Sequence, residues 1–469
     1  MTKRLTLAGL LLLVPYAVAL RLENLRVHTV GFELVFFAAF ALYAAAVWWV
    51  LRNREPGTRG QFILIFAFAI AFRAILVFSQ PRLSDDMYRY VWDGRVQANQ
   101  VNPYLYSPGA PELAGLRDRQ VWPLINRKSA VTIYPAGAEL AFAAIWRIWP
   151  DNVHWVQAVM AAGDLLAGVL LLILLRNLGR PGLAVLIYLW SPLLIFETSH
   201  SAHVDGLVLP LVVAAWLARV RSRDGLTGLF LGIATAFKLY PVLLLPILWR
   251  SRDAQGRFRP LLATPLAFLA GFALPYLPYL SVGTKVLGYL PNYFQEQFNP
   301  GLAYLISEWV RKAGGNPEQI LLLLLAAALL AIYVISLLRP AHSSEDAVRR
   351  CIWPIGAFTL LTRNLFPWYM IWLVPLVAIF MSPVERLIKV DLGKLLSSSW
   401  TGWWLFTGLV ALSYTFFIDW KPVPWVAWVQ FLPLYLFLAL AFIRWVQKRG
   451  LLKLNRFTVR TAIDSSRME

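Results

Sequence analysis

Residues 319–338 read QILLLLLAAALLAIYVISLL, an uninterrupted run without a charged side chain. A helix of this length spans the apolar core of a bilayer, which takes roughly 17–25 such residues. Hydrophobic residues make up 59% of the 469-residue chain and charged residues only 15%. This composition is typical of an integral membrane protein and excludes a soluble globular enzyme. The sequence therefore predicts an all-α, polytopic transmembrane protein in which residues 1–469 form one membrane domain.

Similar apolar runs recur along the whole chain, and their lengths predict about 12–14 membrane-embedded helices. A run at 225–249 is expected to enter the membrane without crossing it. The predicted spans besides 319–338 lie near residues 5–20, 31–51, 62–79, 154–175, 183–198, 204–218, 260–281, 351–362, 366–381, 400–418 and 429–446.

The net charge of +19 comes largely from arginines and lysines in the short connectors between these runs. Positive residues accumulate in cytoplasmic loops, so this charge indicates orientation rather than a nucleic-acid partner. All basic connectors face the cytoplasm together if the N-terminus is inside, and the basic tail 447–469 then lies inside as well. The connector residues are Arg52, Arg54, Arg59, Arg176, Arg180, Arg219, Arg221, Arg223, Arg250, Arg252, Arg257, Arg349, Arg350, Arg386, Lys389 and Lys394.

This orientation requires two irregular segments. The apolar piece 136–149 cannot be a full crossing, because a crossing would invert every later loop; it is predicted to be an interfacial or re-entrant helix. The run 225–249 has basic residues at both ends, which predicts a hairpin that enters and leaves on one side. Pro241 lacks an amide N–H and clashes one turn back, so the hairpin breaks near Lys238. Broken backbone inside a membrane is tolerated where it borders protein or water, so the tip is expected to line a polar cavity.

The outer loop 80–135 begins with two adjacent carboxylates, Asp85 and Asp86. Such a pair is costly to desolvate at a membrane surface, which favours a role as a base or a ligand. The alternative is an amphipathic surface helix anchored by aromatic residues. Other polar residues of the predicted outer side also have structural alternatives when taken singly: Lys238 can snorkel, Arg363 can anchor a helix end, and histidines can cap helices.

The combination of carboxylates and cations suits a substrate with a phosphate head and a lipid tail. A carboxylate can deprotonate an attacking hydroxyl, while a cation stabilises negative charge on the departing phosphate. A polyprenyl-phosphate sugar is such a substrate, and its phosphate leaves without a covalent intermediate. The pattern His200-x-x-His203-x-Asp205 is not among the strong zinc patterns, and one cysteine, Cys351, cannot form a disulfide. No cofactor is therefore expected, with a divalent ion between carboxylate and phosphate as the alternative.

The residues resemble the polyprenol-phosphate-mannose-dependent mannosyltransferases among the GT-C glycosyltransferases, which are polytopic membrane enzymes. Asp85-Asp86-Met87-Tyr88 is similar to the paired-acid motif of that superfamily, and the resemblance covers roughly residues 62–380. Further matching elements are Asn102-Pro103-Tyr104, Ile133-Tyr134-Pro135, His203-x-Asp205-Gly206, Gly232 to Pro241, and Pro367-Trp368-Tyr369-Met370-Ile371-Trp372. The chain departs from the pattern in three places: the acidic loop follows the third span, Ala136 replaces a second proline, and Gln100 stands where glycine is frequent.

The resemblance implies inverting transfer of a sugar, mannose first, from a polyprenyl-phosphate donor to a lipid or glycan acceptor. The reaction is expected on the extracytoplasmic face of a bacterial plasma membrane, in contact with membrane lipids. A lipid-linked sugar transporter or flippase is the alternative, although transporters usually carry internal repeats. The resemblance implies that Asp85 or Asp86 is the catalytic base. Lys238, Arg363 and His200 are expected to bind the donor phosphate, and Arg89, Asp93, Tyr104, Tyr134, His203, Asp205, Trp368 and Tyr369 to bind substrate.

Overall fold

The computed structural model describes residues 1–22, 24–53, 56–250, 260–293, 298–299, 301–381, 398–421 and 423–448. Throughout these residues the chain forms helices and connecting turns and no β-strand. The predicted all-α, polytopic fold is therefore confirmed. Some basic connector and tail residues lie outside the described residues, namely Arg54, Arg252, Arg257, Arg386, Lys389, Lys394 and those from Arg449 onward.

The α-helices are α1 (Thr2–Arg21), α2 (Thr29–Arg52), α3 (Arg59–Val77), α4 (Asp86–Ala98), α5 (Ala136–Ile148), α6 (Val153–Asn177), α7 (Val185–Leu189), α8 (Pro192–Ile195), α9 (Asp205–Val220), α10 (Asp224–Phe237), α11 (Leu245–Leu248), α12 (Ala263–Ala273), α13 (Leu290–Tyr293), α14 (Gly301–Lys312), α15 (Pro317–Leu338), α16 (Ser344–Arg350), α17 (Ile352–Leu361), α18 (Val374–Phe380), α19 (Ser399–Leu409), α20 (Phe416–Asp419) and α21 (Pro424–Lys448). Phe196–His200 forms a π-helix, and 3₁₀ helices occupy Pro111–Leu116, Trp122–Leu124, Gly182–Ala184, Tyr240–Leu244, Leu274–Leu287, Pro367–Leu373 and Val410–Thr415.

Eight of the described helical stretches are long and apolar enough to cross a membrane: α1, α2, α3, α6, Ala263–Tyr293, α15, Ser399–Asp419 and Pro424–Gln447. A ninth exists if Gly182–Leu189 and Pro192–His200, which meet at 54°, form one broken span. Pro192 stands at that bend, where its missing N–H interrupts the helical ladder. The predicted spans 204–218 and 351–362 are present as shorter helices, α9 with 16 residues and α17 with 10.

The connectors separate into two groups at opposite ends of the bundle. We call the end that holds the N-terminus the inner end. There Gln61 donates a hydrogen bond to Thr2 Oγ1 over 3.3 Å. Arg180 pairs with Glu345 over 2.6 Å. The end that holds the 80–135 loop is the outer end, where Arg26 of the α1–α2 connector reaches that loop. The basic connectors that the structure describes therefore share one end, as their charge predicted.

The hairpin predicted for 225–249 is present. Helix α10 ends at Phe237, Lys238 is extended (φ −155°, ψ 137°), and a 3₁₀ turn with Pro241 begins the return. At the other end, Arg250 pairs with Asp224 over 3.0 Å and donates a hydrogen bond to Ser222 Oγ over 2.9 Å. The two ends of the hairpin thus meet at the inner end, and its tip points towards the outer end.

A fully buried ion pair holds the middle of the bundle. Arg73 of α3 donates to Asp164 of α6 over 2.7 Å, with both side chains at most 2% exposed. Asp164 also accepts hydrogen bonds from Tyr188 (2.6 Å) and Thr198 (2.9 Å). Removing one partner of such a pair leaves a buried charge without compensation, which typically costs about 3–5 kcal/mol. This network fixes the bent 182–200 segment against α3 and α6, directly below the outer end.

Candidate active site

The two adjacent carboxylates have different surroundings. Arg26 Nη1 lies 2.7 Å from Asp85 Oδ2, so the charge of Asp85 is already paired within the protein. Asp86 is the first residue of α4 and accepts a hydrogen bond from Asn126 Nδ2 over 2.8 Å. Its second oxygen, Oδ2, lies 3.7 Å from His203 Nδ1. The two acids therefore differ: Asp85 is paired with Arg26, whereas Asp86 faces His203 inside the protein.

His203 is held from three directions. Nδ1 faces Asp86, and Nε2 lies 3.3 Å from Glu197 Oε2. Trp368 stacks on the imidazole ring, with centroids 4.1 Å apart and planes at 21°. Tyr414 donates a hydrogen bond to the other oxygen of Glu197 over 2.7 Å. The result is a continuous polar path from α4 through His203 to a buried glutamate.

The backbone around His203 departs from regular helix. Phe196–His200 is π-helical, and Ala202 has φ 53°, in the left-handed region that a residue with a Cβ seldom adopts. The His203 amide donates to the Glu197 carbonyl over 2.9 Å, which closes the turn. Single-turn π-helices and left-handed non-glycine residues are both frequent at functional sites. This local irregularity turns Glu197 and His203 towards each other.

A second charged pair lies at the tip of the hairpin. Lys238 Nζ is 2.6 Å from Asp205 Oδ2, and Trp372 donates its indole N–H to Asp205 Oδ1 over 2.6 Å. The ammonium also lies over the rings of Tyr369 and Trp372, 5.0 and 5.4 Å from their centroids. A cation on aromatic faces is stabilised by the ring quadrupole. Asp205 follows His203 by two residues, so the Lys238–Asp205 pair and the Asp86–His203 contact belong to one site.

Arg363 and His200 lie outside this arrangement. Arg363 pairs with Glu318 over 2.8 Å and lines an open cavity of about 480 Å³ together with Arg311 and residues 314–318. His200 is buried with Nδ1 2.6 Å from Ser79 Oγ. The structure therefore places Lys238 with Asp205 but gives Arg363 and His200 other partners. Their expected contact with a donor phosphate stays a prediction.

Below α4 a second polar network joins the outer loop to α5. Arg89 donates to both oxygens of Asp93 at 2.9 Å and to the Ala130 carbonyl at 3.0 Å. Glu139 accepts from Thr132 over 2.6 Å and from Gln97 over 2.9 Å. Burial, opposed by the Arg89 charge, raises the pKa of Asp93, and burial together with the Asp93 charge raises the pKa of Glu139 well above its ordinary value.

The two expected tyrosines belong to the packing around that network. Tyr104 donates its hydroxyl to the Tyr134 carbonyl over 2.7 Å and meets Tyr279 edge to face. Tyr134 packs edge to face on Tyr90 and Phe142. The structure thus gives Arg89, Asp93, Tyr104 and Tyr134 partners inside the protein, and their expected contact with substrate stays a prediction.

Residues 132–363, just under half of the chain, match the family model described as glycosyltransferase family 87. A segment of 128 residues is 33% identical to "GPI mannosyltransferase 1" of Eremothecium gossypii, covering 26% of this chain and 32% of that relative. A segment of 105 residues is 34% identical to the protein of the same name from Gibberella zeae, covering 21% and 24%. The resemblance to membrane glycosyltransferases is confirmed.

The matches reach only part of the site. The family match includes His203, Asp205 and Lys238, and it ends before Trp368. It also begins after Asp85 and Asp86, so the family match does not cover the paired acids. The chain spans about a third or less of the length of the curated relatives that it matches. The multi-pass membrane character is shown by the apolar helices and the family together.

Several residues of the site were not expected from the sequence. Arg26, Asn126 and Tyr414 come from three distant parts of the chain, and no pattern around them indicates that they meet Asp85, Asp86 and Glu197. Glu139 could have been found from the sequence, because it is a charged residue inside the apolar piece 136–149. Among the described residues, no group of three or more His, Cys, Asp and Glu side chains has a geometry that could hold a metal ion.

Proposed function

We propose that the protein is a glycosyltransferase that moves a sugar, mannose first, from a polyprenyl-phosphate donor to a hydroxyl of a lipid or glycan acceptor. The observation that carries this proposal is that two polar pairs lie side by side. Asp86 faces His203, and Lys238 pairs with Asp205, which follows His203 by two residues. A base beside a cation suits a reaction in which a hydroxyl attacks and a phosphate leaves. The family match and the mannosyltransferase relatives support the reaction class and the sugar.

Asp86 takes the role of general base in this proposal. It removes the proton of the acceptor hydroxyl while the hydroxyl oxygen forms a bond to the anomeric carbon. The bond between that carbon and the phosphate oxygen breaks, and its electron pair stays on the phosphate. One displacement inverts the anomeric centre. Asp86 is preferred over Asp85 because the Asp85 carboxylate is already engaged in an ion pair with Arg26 over 2.7 Å.

Lys238 takes the role of the group that receives the phosphate. One of its three N–H donors is directed at Asp205, which leaves the ammonium two further donors for phosphate oxygens. The aromatic rings of Tyr369 and Trp372 hold the side chain in place, so its charge is preorganised for the transition state. The lipid tail of the donor then lies along the apolar helices of the outer end.

The charge of the connectors supports a site on the extracytoplasmic face of a bacterial plasma membrane. Arg180, Arg219, Arg250 and Arg350 of the inner end are the residues that the positive-inside rule assigns to the cytoplasm. The site lies at the other end, with the 80–135 loop.

The test uses purified protein in lipid nanodiscs with polyprenyl-phosphate donors carrying labelled mannose, glucose or arabinose. The acceptors are alkyl glycosides and a lipid extract of the source membrane. We expect label in a new glycoside, with mannose transferred fastest, and release of polyprenyl phosphate in equal amount. Movement of the donor across the bilayer of proteoliposomes, without any new glycoside, would overturn the proposal in favour of a flippase.

A further inference from the structure

Two buried polar atoms behind Asp86 face each other without a well-formed hydrogen bond. Glu197 Oε2 and His203 Nε2 are 3.3 Å apart, and both side chains are only 1% exposed. Among the described residues, neither atom has a hydrogen-bond partner of good geometry. Buried polar atoms almost always have such partners, and the exceptions need an explanation. A role of the two groups in catalysis is one such explanation.

The imidazole has no ring nitrogen to spare for a substrate. Nδ1 lies 3.7 Å from Asp86 Oδ2 and Nε2 lies 3.3 Å from Glu197 Oε2, while Trp368 covers a face of the ring. His203 is therefore better placed to exchange a proton with Asp86 than to bind the sugar. The 3.7 Å between Nδ1 and Asp86 is slightly longer than a hydrogen bond, as is frequent before a substrate closes a site.

Five groups around this cluster have partners of their own among the described residues. Tyr414 donates to Glu197, and Asn126 donates to Asp86. The Lys238 charge is paired with Asp205, and the Arg26 charge is paired with Asp85. The Tyr90 hydroxyl accepts the Val204 amide. The anionic partner that faces the far side of the imidazole is thus Glu197.

We propose that His203 and Glu197 form a proton relay for Asp86, a role that rests on the proposed transferase function. In the resting state, neutral His203 carries its proton on Nε2, directed at the Glu197 carboxylate, and presents its Nδ1 lone pair to Asp86. Asp86 takes the proton of the acceptor hydroxyl as the sugar is transferred and passes it to Nδ1. The resulting imidazolium is stabilised by Glu197, and Asp86 is a carboxylate again. The proton returns to water after the glycoside leaves.

Glu197 acts as a positioning residue that also stabilises positive charge on His203. It selects the tautomer of His203 and stabilises the charge that the ring acquires, which is how a buried carboxylate supports a histidine in hydrolase triads. The π-helix and the left-handed Ala202 are the local distortions that bring the two side chains together. Tyr414 fixes the Glu197 carboxylate from the opposite side.

The first variant is Glu197→Gln, which keeps the size of the side chain and can still accept a hydrogen bond from Tyr414. Loss of its charge removes the stabilisation of the imidazolium, so we expect kcat to fall about 10²–10⁴-fold. The KM for polyprenyl-phosphate mannose should stay within about threefold, because the Glu197 side chain is 1% exposed and lies between His203 and Tyr414. The acid limb of the pH–rate profile should move to lower pH, since the anion that favours the protonated ring is gone.

A pair of variants at His203 separates proton transfer from orientation. His203→Asn keeps an amide donor close to the Nδ1 position, so it can still orient Asp86 but cannot accept a proton. His203→Gln serves as a second non-basic replacement. Both should be slow, within a few-fold of each other. His342→Gln is the matched control, because His342 is exposed just before α16 at the inner end, and it should stay near the wild-type rate.

The outcomes distinguish this inference from the function on which it rests. If wild-type protein transfers no sugar, the proposed function fails. If wild-type transfers sugar and Glu197→Gln keeps its kcat and pH profile, the relay is wrong. A wild-type rate in His203→Asn would also overturn the relay, since orientation of Asp86 without proton transfer would then suffice. Thermal melting of each purified variant confirms that it is folded.

Discussion

At the scale of single residues, the pairing of Asp85 with Arg26 predicts unequal effects at two adjacent acids. Asp86→Asn removes proton acceptance from the acid that faces His203, and loss of a general base typically lowers the rate about 10²–10⁴-fold. Asp85→Asn should be milder, because it removes an acid whose charge is already paired. Initial rates of labelled mannose transfer measure both. A larger loss in Asp85→Asn than in Asp86→Asn would reverse the assignment.

Lys238 and Arg363 should also differ. Lys238→Met removes the cation expected to meet the departing phosphate, so it should lower the maximal rate as well as donor affinity. Arg363 pairs with Glu318 in another cavity, so Arg363→Ala should have a smaller effect on donor affinity, and Arg363→Lys a smaller one still. Donor titrations of the three variants test this order. Equal loss of affinity in Lys238→Met and Arg363→Ala would restore Arg363 to the donor site.

The sequence indicated which residue types form the site better than it indicated their partners. Asp86, His203, Asp205 and Lys238 were found because charged residues are rare near apolar spans, and the structure brings these four together. The sequence could not predict that Asp85 is paired and Asp86 is not. This difference depends on Arg26, 59 positions earlier, and a pairing between distant parts of the chain leaves no local pattern.

At the scale of helices, the position of Lys238 depends on how closely α10 packs against α12. A Cβ added to Gly232 would lie 2.2 Å from the Phe268 carbonyl oxygen, a backbone atom that cannot turn aside. Gly232→Ala should therefore separate the two helices and cost about 1–3 kcal/mol. Because α10 ends at the residue before Lys238, donor affinity should fall as well.

The matched control lies on the same helix. A Cβ added to Gly225 would meet nothing within 4 Å. Alanine also favours helix over glycine, so Gly225→Ala should melt at or slightly above the wild-type temperature. Thermal melting in detergent and transfer rates of both variants provide the comparison. Wild-type stability of Gly232→Ala would show that the helices separate at little cost.

The contact between α4 and α5 should weaken as the pH rises. The pKa of Glu139 is raised by burial and by the neighbouring Asp93, so folding favours the protonated acid. This stability is fully present below the ordinary value of 4.5 and is lost as the pH rises towards the raised pKa. Glu139→Gln keeps a neutral side chain at every pH. Its melting temperature should therefore exceed that of wild-type by a margin that grows from pH 5 to pH 9; a constant margin would contradict the raised pKa.

Elements were predictable where one physical effect dominates. Apolar length located the long helices, and Pro241 located the break of the hairpin. The segment Ala263–Tyr293 was harder, because after Ala273 it continues as a 3₁₀ helix with Gly283 in the left-handed region. Composition alone does not distinguish that path from a regular span. The bend at Pro192 was missed as well, although proline is a recognised signal for it.

At the scale of the whole molecule, the two-ended arrangement agrees with the distribution of charge. Connectors that carry Arg180, Arg219 and Arg250 contact one another or their neighbours at the inner end. The acids and His203 lie at the outer end. That the short helix α5 does not cross the membrane stays a prediction. Its Ile145 carbonyl accepts a hydrogen bond from the Trp155 indole near the start of α6, at the outer end. The assignment of that end to the extracytoplasmic face stays a prediction.

Thiol labelling tests that assignment. Cys351 is buried, so a Cys351→Ser background should give little signal before new cysteines are added. Glu112→Cys lies in the 80–135 loop and should react with an impermeant thiol reagent added to intact spheroplasts. Arg223→Cys and Leu261→Cys lie beside the two ends of the hairpin, which meet through Arg250. Both should react only after the membrane is opened, and both at similar rates.

The pattern of labelling decides between two distinct errors. Protection of Glu112→Cys together with outside labelling of Arg223→Cys and Leu261→Cys would reverse the orientation but keep the hairpin. Outside labelling of Leu261→Cys alone would mean that 225–249 crosses the membrane, against the pairing of Arg250 with Asp224. The tip with Lys238 would then lie at mid-membrane, too far from Asp86 to receive the phosphate that leaves the same sugar. The position of the hairpin is therefore a condition of the mechanism as well as of the fold.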